Sequence, residues 1–238
     1  MTIDVYFTPQ DYIARPPSGE CAVAVLDIFR ATTSMVTAFA NGSRRIIPVK
    51  TVEEALALKK RHPGGLLAGE RQARPIAGFD LGNSPFEYNR SAVDGKTIIM
   101  TTTNGTTALK TAEQATKVYI GAFVNAAALC RILSSLSSDI VILCAGTRGQ
   151  LTIEDALCAG LLADRLAGRG DLSDAAVAAL AIYNDYRTDL VRRTSLGTHA
   201  RYLAAIGYGA DIDYCLRQDL FDIVPVFQNG EVTDPAAT

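Results

Sequence analysis

The run Thr97-Ile98-Ile99-Met100-Thr101-Thr102-Thr103-Asn104-Gly105-Thr106-Thr107-Ala108-Leu109 decides how this chain is read. Its apolar start predicts a strand, its hydroxyl-rich middle a tight turn, and its end a helix through Ala112. The first N–H groups of a helix lack internal partners, and the helix dipole adds partial positive charge there. Gly105 lets a ligand come close to the backbone. Such a turn suits phosphate or another oxyanion. The plainer alternative is that Thr103 or Asn104 only caps the helix. One such side chain is enough for a cap, and five lie within the six residues Thr101 to Thr106.

Working outward, Asp4–Phe7 reads as a short strand and the stretch through Pro16-Pro17 as a Pro-rich connection. Cys21–Leu26 is apolar without a break, the mark of a central strand in a parallel sheet. A helix follows to about Ala40, stopped by Asn41-Gly42. Arg45–Val49 is the next strand, and Pro48 places it near an edge or ends it. Val52–Arg61 is an amphipathic helix, and Leu66–Ala68 a short strand running into Gly69-Glu70-Arg71. The long segment containing Gly78–Pro85 reads as an ordered functional loop. Beyond the opening run come a strand at Lys117–Ile120, a helix at Ala126–Leu136, a strand at Ile140–Cys144 and a helix at Ile153–Ala167. Asp174–Tyr186, Ser195–Ile206 and Ile212–Leu216 predict helices, Ile223–Phe227 a last strand ended by Asn229-Gly230, and Asp234–Thr238 a frayed tail. Alternating strands and helices predict a three-layer α/β/α fold around a largely parallel sheet. The 238 residues fit one unit, 1–238, or two similar lobes at about 1–125 and 126–238.

Hydrophobic residues make up 48% of the chain and charged residues 20%, enough for a sizeable core. A formal net charge of -2 argues against a nucleic-acid partner, which needs a basic face. No apolar stretch is long enough to span a bilayer. Met1–Val5 lacks the basic-then-apolar pattern of an export signal. The five scattered cysteines then read as buried free thiols in a reducing cytoplasm. A homo-oligomer is compatible with this composition. His62 falls in a loop before Pro63-Gly64-Gly65; for His199 a position near the site is one alternative, and a surface helix is the expected one.

In open α/β sheets ligands bind beyond the carboxyl ends of the strands. By that rule Asp27 and Arg30, Glu70 and Arg71, Thr101 to Thr106, and Thr147 and Arg148 with Glu154 and Asp155 gather at one edge of the sheet. The Asp80–Asn83 loop folds over them. Arginines and hydroxyls suit a small anionic ligand, and the carboxylates suit a hard divalent cation, most simply Mg²⁺ bridging protein and phosphate. Each residue also has a plainer role: Asp27 as a helix cap, Arg30 and Arg71 in ion pairs, Glu154-Asp155 against a helix dipole, Asn83-Ser84-Pro85 as a turn.

Five motifs in this order resemble the 2-phosphosulfolactate phosphatase family. They are Asp27-x-x-Arg30-Ala31-Thr32-Thr33, Gly69-Glu70-Arg71, Gly78-Phe79-Asp80-x-Gly82-Asn83-Ser84-Pro85, Thr101–Thr106 and Cys144-Ala145-Gly146-Thr147 with Glu154-Asp155 following. Arg201-Tyr202-Leu203 and Gly207-Tyr208 add to the likeness, which runs from about Ala22 to Val226. Gln72-Ala73-Arg74-Pro75-Ile76 departs from it, where Gly and Lys are more usual. The resemblance implies a Mg²⁺-dependent phosphatase that converts 2-phospho-3-sulfolactate to 3-sulfolactate and phosphate, in some organisms a step toward coenzyme M. It implies catalytic roles for Asp27, Arg30 and Glu70 and a metal set drawn from Asp27, Glu70, Asp80, Glu154 and Asp155. Substrate contacts would come from Arg71, Asn83, Thr101, Thr102, Thr103, Asn104, Gly105, Thr106, Thr147 and Arg148. Two routes stay open: a carboxylate-activated water, or Asp27 itself as nucleophile. Phe29 breaks the Asp-x-Asp pair of the haloacid-dehalogenase pattern, and no C-x₅-R phosphate loop surrounds Cys144. The competing readings are a lyase or transferase on another phosphorylated hydroxy acid and a non-enzymatic anion sensor.

Overall fold

The computed structural model describes residues 1–235, so the frayed-tail reading of residues 236–238 lies outside the described residues. In chain order the elements are β1 (Thr2–Tyr6), α1 (Pro9–Ala14), β2 (Cys21–Leu26), α2 (Ala31–Ala40), β3 (Arg45–Pro48), α3 (Val52–Arg61), β4 (Leu66–Arg71), β5 (Arg74–Pro75), α4 (Arg90–Val93), β6 (Thr97–Thr101) and α5 (Gly105–Thr111). The rest are β7 (Lys117–Gly121), α6 (Ala126–Ser134), β8 (Asp139–Cys144), α7 (Ile153–Leu166), β9 (Asp171–Leu172), α8 (Asp174–Tyr186), α9 (Leu190–Thr194), α10 (Thr198–Ala205), α11 (Gly209–Cys215), β10 (Val226–Gln228) and β11 (Glu231–Thr233). Among the described residues no helix is long and apolar enough to cross a membrane. All five cysteines are free and buried.

The strands make one mixed sheet in the order β5-β4-β6-β3-β11-β10-β7-β2-β8-β1-β9. β2 pairs parallel with β7 and β8, and every one of its residues is buried, as its unbroken apolar composition requires. β4, β6 and β3 form a second parallel group. The antiparallel hairpin β10–β11 joins the groups, pairing antiparallel with β7 on one side and β3 on the other. The two parallel groups therefore run in opposite senses along the sheet. Residues 45–101 supply the β3-β6-β4 group, and the segments on either side supply the other, so the sheet does not divide near residue 125.

Three local readings change. Thr8 caps α1 by accepting from the Asp11 amide at 3.2 Å, with Pro9 in the first turn, so the Pro-rich connection begins with a helix. β3 is interior, so the edge alternative falls and the other holds: Pro48 ends the strand, where a missing N–H costs no ladder bond. Asn229 and Gly230, at φ 53 and 80, make the left-handed turn of the hairpin and send the chain back as β11.

α2 is buried from Ala31 to Phe39. Its hydroxyls are satisfied inside the protein: Thr37 Oγ1 donates to the Thr33 carbonyl at 2.8 Å, and Ser34 Oγ to the Asn83 carbonyl at 2.8 Å. That second bond fastens the Gly78–Pro85 loop to the buried helix.

Gly69 sets how closely β4 approaches β6. It has φ 140, and a Cβ there would sit 1.9 Å from the Thr101 carbonyl oxygen. Gly69→Ala is expected to destabilise the fold by about 2–4 kcal/mol, combining left-handed strain with a backbone clash. It should also displace Glu70, the next residue. Urea denaturation measures the first effect, and a loss of only a few tenths of a kcal/mol would contradict this account of the close approach.

Candidate active site

Asp27 stands at the end of β2 and is 7% exposed. Its Oδ1 accepts from the Ala31 amide at 3.3 Å. Its Oδ2 lies against Gly105, where an added Cβ would be 2.8 Å away, with the Ala31 Cβ at 2.6 Å. Gly105 thus has a specific reason to be glycine: the Asp27 carboxylate and α2 occupy the space of its side chain. Glu70, also 7% exposed, bridges two segments. Oε1 accepts from the Thr103 amide and Oε2 from the Ala73 amide, both at 2.7 Å. Asn104 Nδ2 reaches Thr147 Oγ1 at 3.4 Å. The turns after β2, β4, β6 and β8 therefore meet. They do so although the two parallel groups to which these strands belong run in opposite senses.

Asp155 ties this junction from behind. Its Oδ1 accepts from the Ile28 amide at 2.8 Å and its Oδ2 from the Gly146 amide at 3.0 Å. Glu154 Oε1 is 2.7 Å from His199 Nδ1, with side-chain exposures of 2% and 18%. The surface position expected for His199 is corrected: it closes over Glu154, and its ring stands 6.1 Å from that of Phe29. Among the described residues its Nε2 makes no hydrogen bond.

The electrostatics follow from burying several carboxylates around one imidazole. Burial pushes the Asp27 carboxyl up to about 6; Glu70 and Glu154 add to the rise, and His199 and the Ala31 amide oppose it. Asp155 is pushed well up, first by burial and then by Glu154 and Asp27. For His199 burial alone would lower the pKa, but the bond to Glu154 and the charges of Glu154, Asp27 and Asp155 outweigh it, and the net shift is upward. Burial raises the Cys144 thiol well above its ordinary value, which argues against a thiolate nucleophile.

Several expected site residues are engaged by the protein itself. Arg30 is 2% exposed; it donates to Asp211 Oδ2 and to the Ala73 carbonyl, both at 2.7 Å, and lies 4.1 Å over the Tyr208 ring. It is a clamp between segments rather than a group free to meet a substrate. Arg71 donates to Thr101 Oγ1 at 2.9 Å and to the carbonyls of Lys50, Glu70 and Thr101. Thr101 is fully buried under it. Thr102 and Thr106 bond each other: the Thr106 amide donates to Thr102 Oγ1 at 3.1 Å, and Thr106 Oγ1 to the Thr102 carbonyl at 2.7 Å. The Thr103 amide is taken by Glu70, which leaves the Asn104 and Gly105 amides at the turn without a hydrogen-bond partner among the described residues. Asn83 is 5% exposed and its Oδ1 has no partner among the described residues. Arg148 is exposed at φ 54, and no side-chain bond engages it among the described residues.

The five-carboxylate metal set also changes. Asp80 accepts from the Leu67 amide at 2.8 Å and lies 3.8 Å from Lys59 with 43% exposure, away from the junction. Glu154 is covered by His199, and Asp155 is bonded to two amides. Asp27 and Glu70 are the two hard oxygen donors that abut the 101–106 turn, although Glu70 also accepts from two amides. Among the described residues no three Asp, Glu, His or Cys side chains form a ready metal cage. A pair of carboxylates fits Mg²⁺, which commonly keeps waters and takes substrate oxygens instead of an all-protein cage. A recess of about 440 Å³ bordered by Val49, Lys50 and Lys110 lies apart from this cluster and contains none of its acids.

Asp211 is the residue that sequence reasoning missed, and His199 the one it weighed for the site but set on the surface. Asp211 accepts from Arg30 and, at 2.8 Å, from Ser84 Oγ, and nothing in its neighbourhood of sequence signals that role. His199 had a faint signal, being one of two histidines and the one placed on a helix.

A family model described as 2-phosphosulpholactate phosphatase matches residues 6–230. A probable 2-phosphosulfolactate phosphatase of Caldanaerobacter subterraneus subsp. tengcongensis is 44% identical over 214 residues, 88% of this chain and 89% of that protein. One of Thermotoga petrophila is 42% identical over 222 residues, 92% of this chain and 96% of that protein. One of Clostridium beijerinckii is 37% identical over 238 residues, 98% and 99%.

A raised pKa in the folded state means that folding favours the protonated Asp27. Its contribution to stability is complete below the unfolded value, near pH 4, and is lost as pH rises through about 6. In chelator, Asp27→Asn should therefore match the parent in stability near pH 4 and exceed it by on the order of 2 kcal/mol above about pH 7. Thermal melts across that range test it; a variant no more stable at high pH would contradict the electrostatic strain.

Proposed function

The chain belongs to the 2-phosphosulpholactate phosphatase family, and from that premise we propose that it is a phosphoric monoester hydrolase that converts 2-phospho-3-sulfolactate to 3-sulfolactate and phosphate with Mg²⁺. The observation that carries the reading is the meeting of Asp27, Glu70 and two unengaged amides at one turn. Buried carboxylates would repel a phosphate unless a cation intervened, and the protein cations beside them are already engaged, His199 by Glu154 and Arg71 by Thr101 and backbone carbonyls. Asp27 and Glu70 are the residues that would hold Mg²⁺, which when bound neutralises charge on the phosphoryl oxygens.

The chain's own groups then have separate tasks. The Asn104 and Gly105 amides face the phosphoryl oxygens, where fixed donors lower the cost of developing charge. Water attacks phosphorus opposite the leaving oxygen, and its proton passes to the Asp27 carboxylate, whose Oδ2 carries no hydrogen bond among the described residues. Phosphate monoesters hydrolyse so slowly unaided that positioning and charge neutralisation must supply most of the rate. Arg148, exposed beside Thr147, is the cation this reading assigns to the sulfonate or carboxylate of the same molecule.

Release of phosphate from synthetic phosphosulfolactate, followed with and without chelator, tests the reading. The expected result is turnover abolished by chelator, restored by Mg²⁺, and reduced about 10²–10⁴-fold in Asp27→Asn. Absence of phosphate release, or turnover indifferent to chelator, overturns it. Arg148→Ala should raise KM about tenfold or more with little change in kcat, as removal of one charge-assisted contact predicts.

A further inference from the structure

We propose that His199 is a catalytic residue of this site, donating a proton from Nε2 to the leaving oxygen of the substrate, with Glu154 as its positioning residue. The inference rests on the phosphatase reading and deepens it. Glu154 is 2% exposed and meets Nδ1 at 2.7 Å, which fixes the tautomer and the ring plane. Nε2 has no hydrogen-bond partner among the described residues, and the side chain keeps 18% exposure, so one ring nitrogen is anchored and the other is available. The groups whose charges bear on the ring are Glu154, Asp27 and Asp155, which hold a proton on it. The imidazole stands 6.1 Å from the ring of Phe29, two residues on from Asp27, and Asp155, next to Glu154, accepts from the Ile28 amide at 2.8 Å, which brings the ring to the end of β2.

α10 carries His199 over the junction, and it is fastened on the far side as well. Tyr202 donates its hydroxyl to the Gln72 carbonyl at 3.0 Å, on the hairpin turn whose next amide, Ala73, holds Glu70.

The chemistry calls for an acid here. The leaving group is the secondary alkoxide of a 2-hydroxy acid, a strong base that departs poorly unprotonated. As water oxygen bonds to phosphorus, the bond from phosphorus to the bridging oxygen breaks and its electron pair takes the Nε2 proton, giving the free hydroxyl. The water proton passes to Asp27. Proton return from Asp27 through solvent to the imidazole restores the starting state, so one water is consumed and no other reactant is needed.

The test compares leaving groups. His199→Asn keeps an N–H able to reach Glu154 but removes Nε2, and His199→Gln serves if that variant melts abnormally. On phosphosulfolactate, kcat should fall about 10²-fold or more. On p-nitrophenyl phosphate, whose phenolate leaves without a proton, it should fall less than about fivefold. On phosphosulfolactate itself the bridging-¹⁸O kinetic isotope effect should increase, because the oxygen departs with more negative charge. This measurement decides the matter if the aryl ester is a poor substrate of the parent. Equal losses on both esters, or an unchanged isotope effect, overturn the role of His199 while leaving the phosphatase intact. A parent chain that releases no phosphate from phosphosulfolactate overturns the phosphatase reading and this role with it.

Discussion

The packing of three carboxylates around a single imidazole, with a fourth, Glu70, acting on Asp27, is the constraint that orders the rest. An isolated ionised carboxylate in a protein interior is costly, so each must be hydrogen-bonded, paired or protonated. The fold answers each acid differently. Glu70 accepts from two amides, Asp155 from two others, Glu154 from His199, and Asp27 from one long contact at 3.3 Å. The amides that satisfy Glu70 and Asp155 belong to turns from different strands. Solvating these acids is therefore the same act as fastening the turns together. Asp27 is left least satisfied, which is the condition expected of a group reserved for a cation or a reacting proton.

The arginines teach the complementary lesson. Arg30 and Arg71 look like anion binders because they follow strand ends, yet each gives its donors to carbonyls, a hydroxyl or a carboxylate of the protein. A guanidinium is well suited to that use: its fixed fork can join several segments at once. Arg30 links the β2–α2 turn to the hairpin between β4 and β5 and, through Asp211 and Ser84, to the Gly78–Pro85 loop. Breaking such a buried pair by removing one partner leaves the other charged and unsatisfied, which typically costs 3–5 kcal/mol. Loss of activity on altering Arg30 would therefore report the collapse of this clamp and could not by itself mark a substrate contact.

This difference explains what was legible in the sequence. Elements fixed by local pattern read correctly: β2 from its unbroken apolar run, α2 from its Asn41-Gly42 stop, and the 101–106 turn from its hydroxyls and glycine. The sequence also placed Asp27, Glu70 and Thr147 on turns that do meet. It could not reveal that the β3-β6-β4 group runs against the β2 group, because that depends on β10–β11. β11 is three residues long and has too few positions for an alternation to stand out. Nor could it separate Asp80 from the other acids: its partners, the Leu67 amide and Lys59, lie on β4 and α3, distant in sequence from Asp27 and the 101–106 turn. His199 was underestimated because the residue that makes it informative, Glu154, lies 45 positions away.

The Gln72-Ala73 turn joins these strands of reasoning. Both residues have left-handed backbone, φ 54 and 60, without being glycine, a conformation that costs roughly 1 kcal/mol or more per residue. The turn is held there from three directions. The Ala73 amide bonds Glu70, the Ala73 carbonyl accepts from Arg30, and the Gln72 carbonyl accepts from Tyr202. Each of these partners leads to a different part of the site: Glu70 to the 101–106 turn, Arg30 to the end of β2, and Tyr202 to the helix that carries His199. Glycine would relieve the local strain, but it would also widen the conformations open to the turn. A non-glycine pair locked by three bonds keeps the acid, the clamp and the imidazole in one fixed relation, which is what a reaction dependent on positioning requires.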